Sequence, residues 1–298
     1  MTNDGRPILV IGATGMLGEP VARQLKADGF GVRILSRTPA KAARIFGAGF
    51  EHAAGDVEDP AALERAMAGC AGVHINLKGG PKPADYERTE HQGVRNIVRA
   101  AERAGVAQIT HLSSYTTLEK NIDSAESAAK WRGEEALRAG AVPAVIFRAT
   151  WFMESLPLFV LGKRAVLIGR QPHPLHWLAA ADYARMVARA FRTPAALGKA
   201  LYVYGPQAMP MRQALERYVA SLDHPPAISA MPTWLMRGLG YLSFNHEWRA
   251  VADLMEHTGR IGEEGDPAEA NALLGAPAIT LDQWIAGRQP QAALSAAR

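Results

Sequence analysis

The sequence predicts a doubly wound, parallel α/β sheet of the Rossmann type followed by a smaller, mostly helical region, and three observations carry that prediction. An apolar run, residues 7–11, leads directly into Gly12-Ala13-Thr14-Gly15-Met16-Leu17-Gly18 and then into an amphipathic segment, 19–27. A second apolar run, 31–36, arrives about 20 residues later, as a βαβ unit demands. Through the first half of the chain, short apolar runs keep alternating with helical patterns, the mark of a parallel sheet covered on both faces.

Taken in order, the strands are expected at 8–11, 32–35, 49–52, 72–77, 108–113 and 144–148, and the helices between them at 17–27, 39–46, 60–68, 84–104 and 124–139. Pro39 and Pro60 stand at helix starts, where a missing N–H costs nothing, and Gly69, Gly105 and Gly140 stand just past helix ends. After Arg148 the regularity breaks: Pro, Gly and aromatic residues cluster through 151–177. Helices are expected at 181–191, 211–222, 233–241, 246–257 and 281–286, with one more strand at 200–204. The expected division is a dinucleotide-binding domain over 1–150 and a substrate-binding region over 151–298, with some return to the main sheet near 175–205.

A chain of 298 residues is long enough to bury a sizeable core. Its net charge of +4 and sequence pI near 9.3 are mildly basic. The basic residues are scattered among acids, as in Glu87-Arg88 and Glu102-Arg103, so a solvated surface is expected rather than a nucleic-acid partner. No apolar stretch is long enough to span a bilayer, and the first six residues lack a signal peptide's apolar segment, so no membrane association and a cytoplasmic location are the expectations. The single cysteine, Cys70, reads as a small buried residue before a strand.

The glycines give the first turn its chemistry. Gly12 takes the tight turn off the strand, Gly15 lets the backbone approach a pyrophosphate, and Gly18 lets the helix pack closely. The phosphates would then meet free N–H groups at the positive end of the helix. The second strand ends Leu35-Ser36-Arg37-Thr38, without the acid that accepts from a ribose 2′-OH. Arg37 can meet a 2′-phosphate with its planar donor fork, with Ser36 beside it, so NADP(H) is the expected cofactor; the alternative is a solvent-facing arginine before Pro39.

The turn Gly12-Ala13-Thr14-Gly15-x-x-Gly18, the strand end Ser36-Arg37, Gly55-Asp56-Val57, His111-Leu112-Ser113-Ser114, Lys130 followed by Glu134-Glu135, and Phe147-Arg148-Ala149-Thr150-Trp151-Phe152-Met153-Glu154 form an ordered set. That set resembles atypical short-chain dehydrogenase/reductases of the NmrA-like group, closely over roughly the first 205 residues. The resemblance implies that Asp56 and Val57 contact the adenine, that Asn76 and Leu77 run beside the cofactor, and that Ser113 and Ser114 lie near the nicotinamide. It also implies that Phe152 and Met153, with Trp151, wall the nicotinamide and substrate pocket. A helix-capping role is the alternative for Asp56.

The chain departs from this pattern at one place. Active short-chain reductases carry a tyrosine four residues before the lysine as proton donor, and here that position is Glu126; no Tyr-x-x-x-Lys occurs anywhere in the sequence. Lys130 can still bond the nicotinamide ribose, the alternative being an exposed helix lysine. Tyr115, just past Ser113-Ser114, is either a polarising phenol or a packing residue, and Glu126 acts as an acid only if burial raises its pKa. His173 and His176 fall in a Pro-rich stretch suited to a substrate lid, although a loop histidine is more often surface; with no local Asp, Glu or Cys, no metal site is expected. The second half is rich in aromatics and methionine, including Trp151, Phe159, Trp177, Trp234 and Tyr241. The expectation is therefore an NADPH-dependent oxidoreductase, monomer or homodimer, acting on a small apolar or aromatic carbonyl, enone, imine or quinone. A non-catalytic NADP(H) sensor is the alternative, and an epimerase using its cofactor transiently the third.

Overall fold

Every residue of β1 (Ile8–Ile11) is buried, which is why it reads as an unbroken apolar run and why it lies inside the sheet rather than at an edge. The computed structural model describes residues 5–296. After β1 come α1 (Gly18–Ala27), β2 (Val32–Ser36), α2 (Pro39–Phe46), β3 (Glu51–Ala54), α3 (Pro60–Met67), β4 (Gly72–Ile75) and α4 (Pro83–Tyr86). A π-helical stretch, Glu87–Gly93, joins α4 to α5 (Val94–Arg103), and β5 (Gln108–Ser114), α6 (Ala125–Ala139) and β6 (Ala144–Ala149) follow. The remaining elements are β7 (Val160–Leu161), β8 (Arg164–Ile168), β9 (Pro174–His176), α7 (Ala180–Ala190), β10 (Ala200–Val203), β11 (Ala208–Pro210), α8 (Met211–Ala220) and β12 (Ala227–Met231). The chain then continues as α9 (Thr233–Leu242), α10 (His246–Arg260), α11 (Ala268–Leu274) and α12 (Leu281–Ala296), the last running well beyond the expected 281–286.

Seven strands form one parallel sheet in the order β10-β6-β5-β4-β1-β2-β3. This is the doubly wound arrangement the sequence predicts, and its strand order reverses between β1 and β4. The local punctuation works as expected: Pro39 and Pro60 open α2 and α3, and Ser124 caps α6 by accepting from the Ser127 N–H at 3.1 Å.

Two elements differ from the sequence expectation. β3 pairs with β2 over 51–54, not 49–52, because this edge strand has no buried face to set its register and is fixed instead by Arg33 donating to Glu51 at 2.7 Å. The helix expected over 84–104 is interrupted by the π-helical stretch, which turns Glu90 into the interior.

The chain divides into two compact units. The first holds the seven-stranded sheet and takes in the chain up to Ala149 with 183–203 and 266–275, where α11 packs on β10. The second takes in 150–182, 204–265 and the chain from 276 on. It contains an antiparallel pair, β9–β11, and a three-stranded sheet, β12-β8-β7, none of which the sequence reading anticipated.

Within the first unit, α6 covers one face of β5 and β6 through a buried charge cluster. The Glu134 carboxylate, fully buried, accepts from Ser113 Oγ at 2.6 Å and from the Arg148 guanidinium at 2.7 and 3.2 Å, and it is also bonded to Arg138. Arg148 in turn lies over the Tyr202 ring and donates to its hydroxyl at 3.2 Å. Removing one partner of such a cluster strands a buried charge, whereas replacing both removes the penalty. Glu134→Leu should therefore cost about 3–5 kcal/mol in urea denaturation, and adding Arg148→Met should recover most of it. A single-variant loss below about 1 kcal/mol would show that the cluster is solvent-screened after all.

Candidate cofactor cleft and active site

The turn after β1 is held closed by the absence of side chains. Gly12 has φ +77°, and a Cβ there would stand 1.8 Å from the Asn76 carbonyl oxygen; a Cβ at Gly18 would stand 2.2 Å from the Gly12 carbonyl oxygen. Gly15 donates its N–H to that same Gly12 carbonyl at 3.1 Å. Leu17 precedes α1 without a capping side chain, and in the first turn the Glu19 N–H donates to the Gly15 carbonyl at 3.1 Å.

A cleft of about 600 Å³ opens at the carboxyl ends of the central strands. Of the expected cofactor residues, Gly12, Thr14, Gly15, Ser36, Arg37, Asp56, Val57, Asn76 and Leu77 line it. Met16 is exposed, Leu17 and Gly18 form the helix start behind it, and Ser113, Ser114 and Lys130 lie outside its lining. The Arg37 side chain is 83 % exposed, its Nε 3.9 Å from Asp56 Oδ2. Ser36 Oγ accepts from the Thr38 N–H at 3.1 Å. The helix cap of α3 is Asp59, which accepts from Ala61 and Ala62, so Asp56 is not spent on capping; its Oδ1 accepts from the nearby Glu58 N–H at 3.0 Å. Asn96 on α5 fixes Val57 by donating to its carbonyl at 3.0 Å.

Lys130 is buried, not an exposed helix lysine. Its ammonium is ion-paired with Glu90 and lies 4.0 Å from Glu126. Burial works to depress it, yet the charges of Glu90 and Glu126 outweigh that and raise its pKa. Burial also raises the Glu126 carboxyl, against the pull of Lys130 and with the push of Glu90. Glu90, 2 % exposed, uses its other oxygen to accept from the Gly79 N–H at 2.8 Å, joining Lys130 to the loop Lys78-Gly79-Gly80 that lines the cleft. Glu90, Asn96, Lys41 and Arg88 were not singled out from sequence. Glu90 and Lys130 are 40 residues apart, and no local pattern announces their pairing.

At the end of β5, Ser113 donates its hydroxyl proton to Glu134 and its Oγ lies 3.2 Å from Thr117 Oγ1, and Ser114 Oγ lies 2.9 Å from Thr116 Oγ1. Tyr115 is 3 % exposed, and its N–H donates to the Ala149 carbonyl at 3.0 Å. In the second unit, Phe152 and Met153 are buried, and Trp151 packs its ring near those of Phe159 and Trp177. Trp234 and Tyr241 are exposed on α9 instead of contributing to a core. His173 sits beside Gly262, where a Cβ would come 3.4 Å from its Nδ1. Asp182, in the first turn of α7, accepts from the Ala278 and Ile279 N–H groups, each at 2.8 Å. Among the described residues no helix is long and apolar enough to cross a membrane, and no group of three or more His, Cys, Asp or Glu could hold a metal ion.

Residues 5–232 match the NmrA-like family. The chain is 30 % identical to a (4-alkanoyl-5-oxo-2,5-dihydrofuran-3-yl)methyl phosphate reductase of Streptomyces griseus, over 73 % of this chain and 74 % of that protein. It is 27 % identical to an NAD(P)H azoreductase of Xenophilus azovorans, over 68 % and 69 % of the two chains. Its fold is similar to that of a nucleoside-diphosphate-sugar epimerase of Staphylococcus aureus, with a TM-score of 0.77, 17 % identity and coverage of 94 % and 99 %.

Two histidines lie inside the sheet beneath the site. His74 on β4 holds Thr110 Oγ1 at 2.9 Å, and among the described residues His111 on β5 has no hydrogen-bond partner for either ring nitrogen. Burial pushes both down to about 3; the Lys130 and His74 charges add to the effect at His111. Below pH 6.5 the unfolded chain protonates these rings while the folded chain does not, so stability falls as pH drops from 6.5 toward 3. Between about pH 5.5 and 4, where the unfolded ring is almost fully charged and the folded ring is not, His111→Leu should flatten the pH dependence of unfolding free energy by about 1.4 kcal/mol per pH unit relative to wild type. Parallel curves for the two proteins would mean that His111 titrates alike folded and unfolded.

Proposed function

The chain belongs to the NmrA-like family, and from that premise we propose that it is an NADP(H)-dependent reductase that passes a hydride to a small apolar or aromatic carbonyl, enone, imine or quinone. The observation that carries the cofactor choice is the end of β2: Ser36 and Arg37 line the cleft, Arg37 is largely free, and no acid stands in their place. Lys41 lines the same cleft and adds positive charge for a 2′-phosphate. The residues present fit such a group, because Gly12, Thr14 and Gly15 line the cleft in a turn, completed by Met16, Leu17 and Gly18, that has no room for a Cβ at Gly12 or Gly18. Asp56 and Val57 would take the adenine, with Asn76 and Leu77 alongside.

When bound, the cofactor supplies the hydride. The protein's part is to hold it, with Lys130 paired to Glu90 and tied through Glu90 to the Gly79 loop that lines the cleft. Both curated relatives named above are reductases, one of them using NAD(P)H, which supports this reaction class. The second reading is a dinucleotide sensor, favoured by the missing Tyr-x-x-x-Lys and by a Lys130 already matched by two carboxylates.

The purified protein should oxidise NADPH with 4-nitrobenzaldehyde, 2-cyclohexenone or menadione; tight NADPH binding without turnover on any of them would favour the sensor. Arg37→Ala should weaken NADPH binding by about 10- to 100-fold in fluorescence titration while leaving NADH nearly unchanged. Equal weakening of both would refute the assignment of Arg37 to the 2′-phosphate.

A further inference from the structure

Among the described residues, α9 of the second unit leaves one whole face uncovered. It packs along α10 with Met236 and Gly240 buried, and a Cβ at Gly240 would stand 2.8 Å from the Arg249 side chain. The opposite face carries Trp234, Leu235, Gly238, Leu239, Tyr241 and Leu242, which the helical repeat gathers on one side. Trp234 is 69 % exposed and Leu242 81 %, and Phe244, just past the helix end, is 86 % exposed. Phe244 also has φ +53°, a left-handed conformation that disfavours a bulky side chain and usually falls to glycine after a helix. Folding alone gives no reason for a phenylalanine there.

The extent and chemistry of this face say what covers it. With Trp248 at the start of α10, its side chains leave roughly 800 Å² of apolar surface open, above the about 300–600 Å² of a typical monomer's largest patch and close to the ~800 Å² that each partner gives a stable complex. The face carries no charge. Arg237, the one charged residue of α9, is paired across to α10, with Asp253 at 2.8 Å and Glu256 at 2.5 Å, and the Arg249 guanidinium lies 4.7 Å from the Tyr241 ring centroid. A helix that lies on a membrane sets Lys and Arg along its polar side for anionic headgroups. Here the polar side is neutralised within the α9–α10 hairpin, so the open face suits an apolar protein surface.

The face is also complementary to itself. Leu235 and Tyr241 stand three residues to either side of Gly238, and Trp234 and Leu242 stand four. A Cβ at Gly238 would meet nothing within 4 Å, so the centre of the face is a shallow gap between large side chains. Two copies of α9 running antiparallel and crossing at Gly238 would set Trp234 on the partner's Leu242 and Leu235 on the partner's Tyr241, and a two-fold axis makes each contact twice. We propose that α9 is the two-fold interface of a homodimer of this chain, with Gly238 of each copy at its centre and Phe244 toward its ends.

The test is sedimentation velocity on the full chain, with far-UV circular dichroism as the check on folding. Wild type at about 100 μM should run at twice the 32.1 kDa chain mass and dissociate on dilution. Leu242→Glu, at a position little packed in the folded chain, should keep the wild-type dichroism and weaken self-association by about 30-fold or more. Gly238→Cys should give a disulfide-linked dimer under mild oxidation, whereas Glu135→Cys, exposed on α6, should not; Cys70 is buried. A wild-type chain that stays monomeric at that concentration overturns the proposal, and a monomer that co-sediments with phosphatidylcholine vesicles assigns the face to lipid instead. A dimer unmoved by Leu242→Glu uses another surface, and a dimer that Gly238→Cys does not cross-link is not built on this axis; either result also overturns it.

Discussion

The structure depends on two side chains that are not there. Because neither Gly12 nor Gly18 carries a Cβ, the end of β1 can lie against the backbone of Asn76, and the start of α1 can lie against the carbonyl of Gly12. These contacts fall where the strand order reverses, between β1 and β4. The opening at their carboxyl ends is therefore a consequence of close packing on either side of it. An alanine at Gly12 or Gly18 would meet backbone, which has no rotamer to yield, so the turn is set by main-chain geometry before any ligand contributes.

Charge placement is the next layer, and it is organised by buried acids. Glu90 reaches the interior through the π-helical stretch and there satisfies Gly79 and Lys130 at once. Two further glycines permit this: a Cβ at Gly133 would stand 2.4 Å from the Glu90 carbonyl oxygen, and one at Gly93 would stand 2.8 Å from Val57. The shape of the cleft loop and the position of the lysine are thus one arrangement, and a change to Glu90 acts on both. Glu134 does the corresponding work for Ser113 and Arg148, which is why Ser113 is a fixed support of β5 and not a free hydroxyl at its end.

How much of this was legible follows from the range of each signal. The first-unit strands and helices could be read because each is a contiguous pattern, buried runs such as 8–11 and amphipathic stretches such as 125–139. β3 slipped by two residues because an edge strand lacks that pattern. β7, β9 and β11 have only two or three residues each, too few to show a period, and β12 is held by pairing with β8 rather than by an apolar face of its own. The glycine turn and Ser36-Arg37 were visible as local motifs. Glu90 with Lys130, and Glu263 with His176, are contacts across 40 and 87 residues, created by folding and written in no local spacing.

The same contrast separates groups that hold from groups that can react. Lys130, Glu134 and Arg148 are buried and matched by opposite charge, so the fold has already spent their valences on position. His111 has open valences but no access, and burial keeps it neutral. Lys130 is further disqualified as a proton source because its two carboxylates tighten its hold on the proton. Arg37 differs from all of these. Its side chain is 83 % exposed and has only the long 3.9 Å contact with Asp56, so it presents its donors to solvent at the rim of the cleft. Such a group has little internal pairing to give up on meeting an anion, so binding is the role left to Arg37 once the interior has been accounted for.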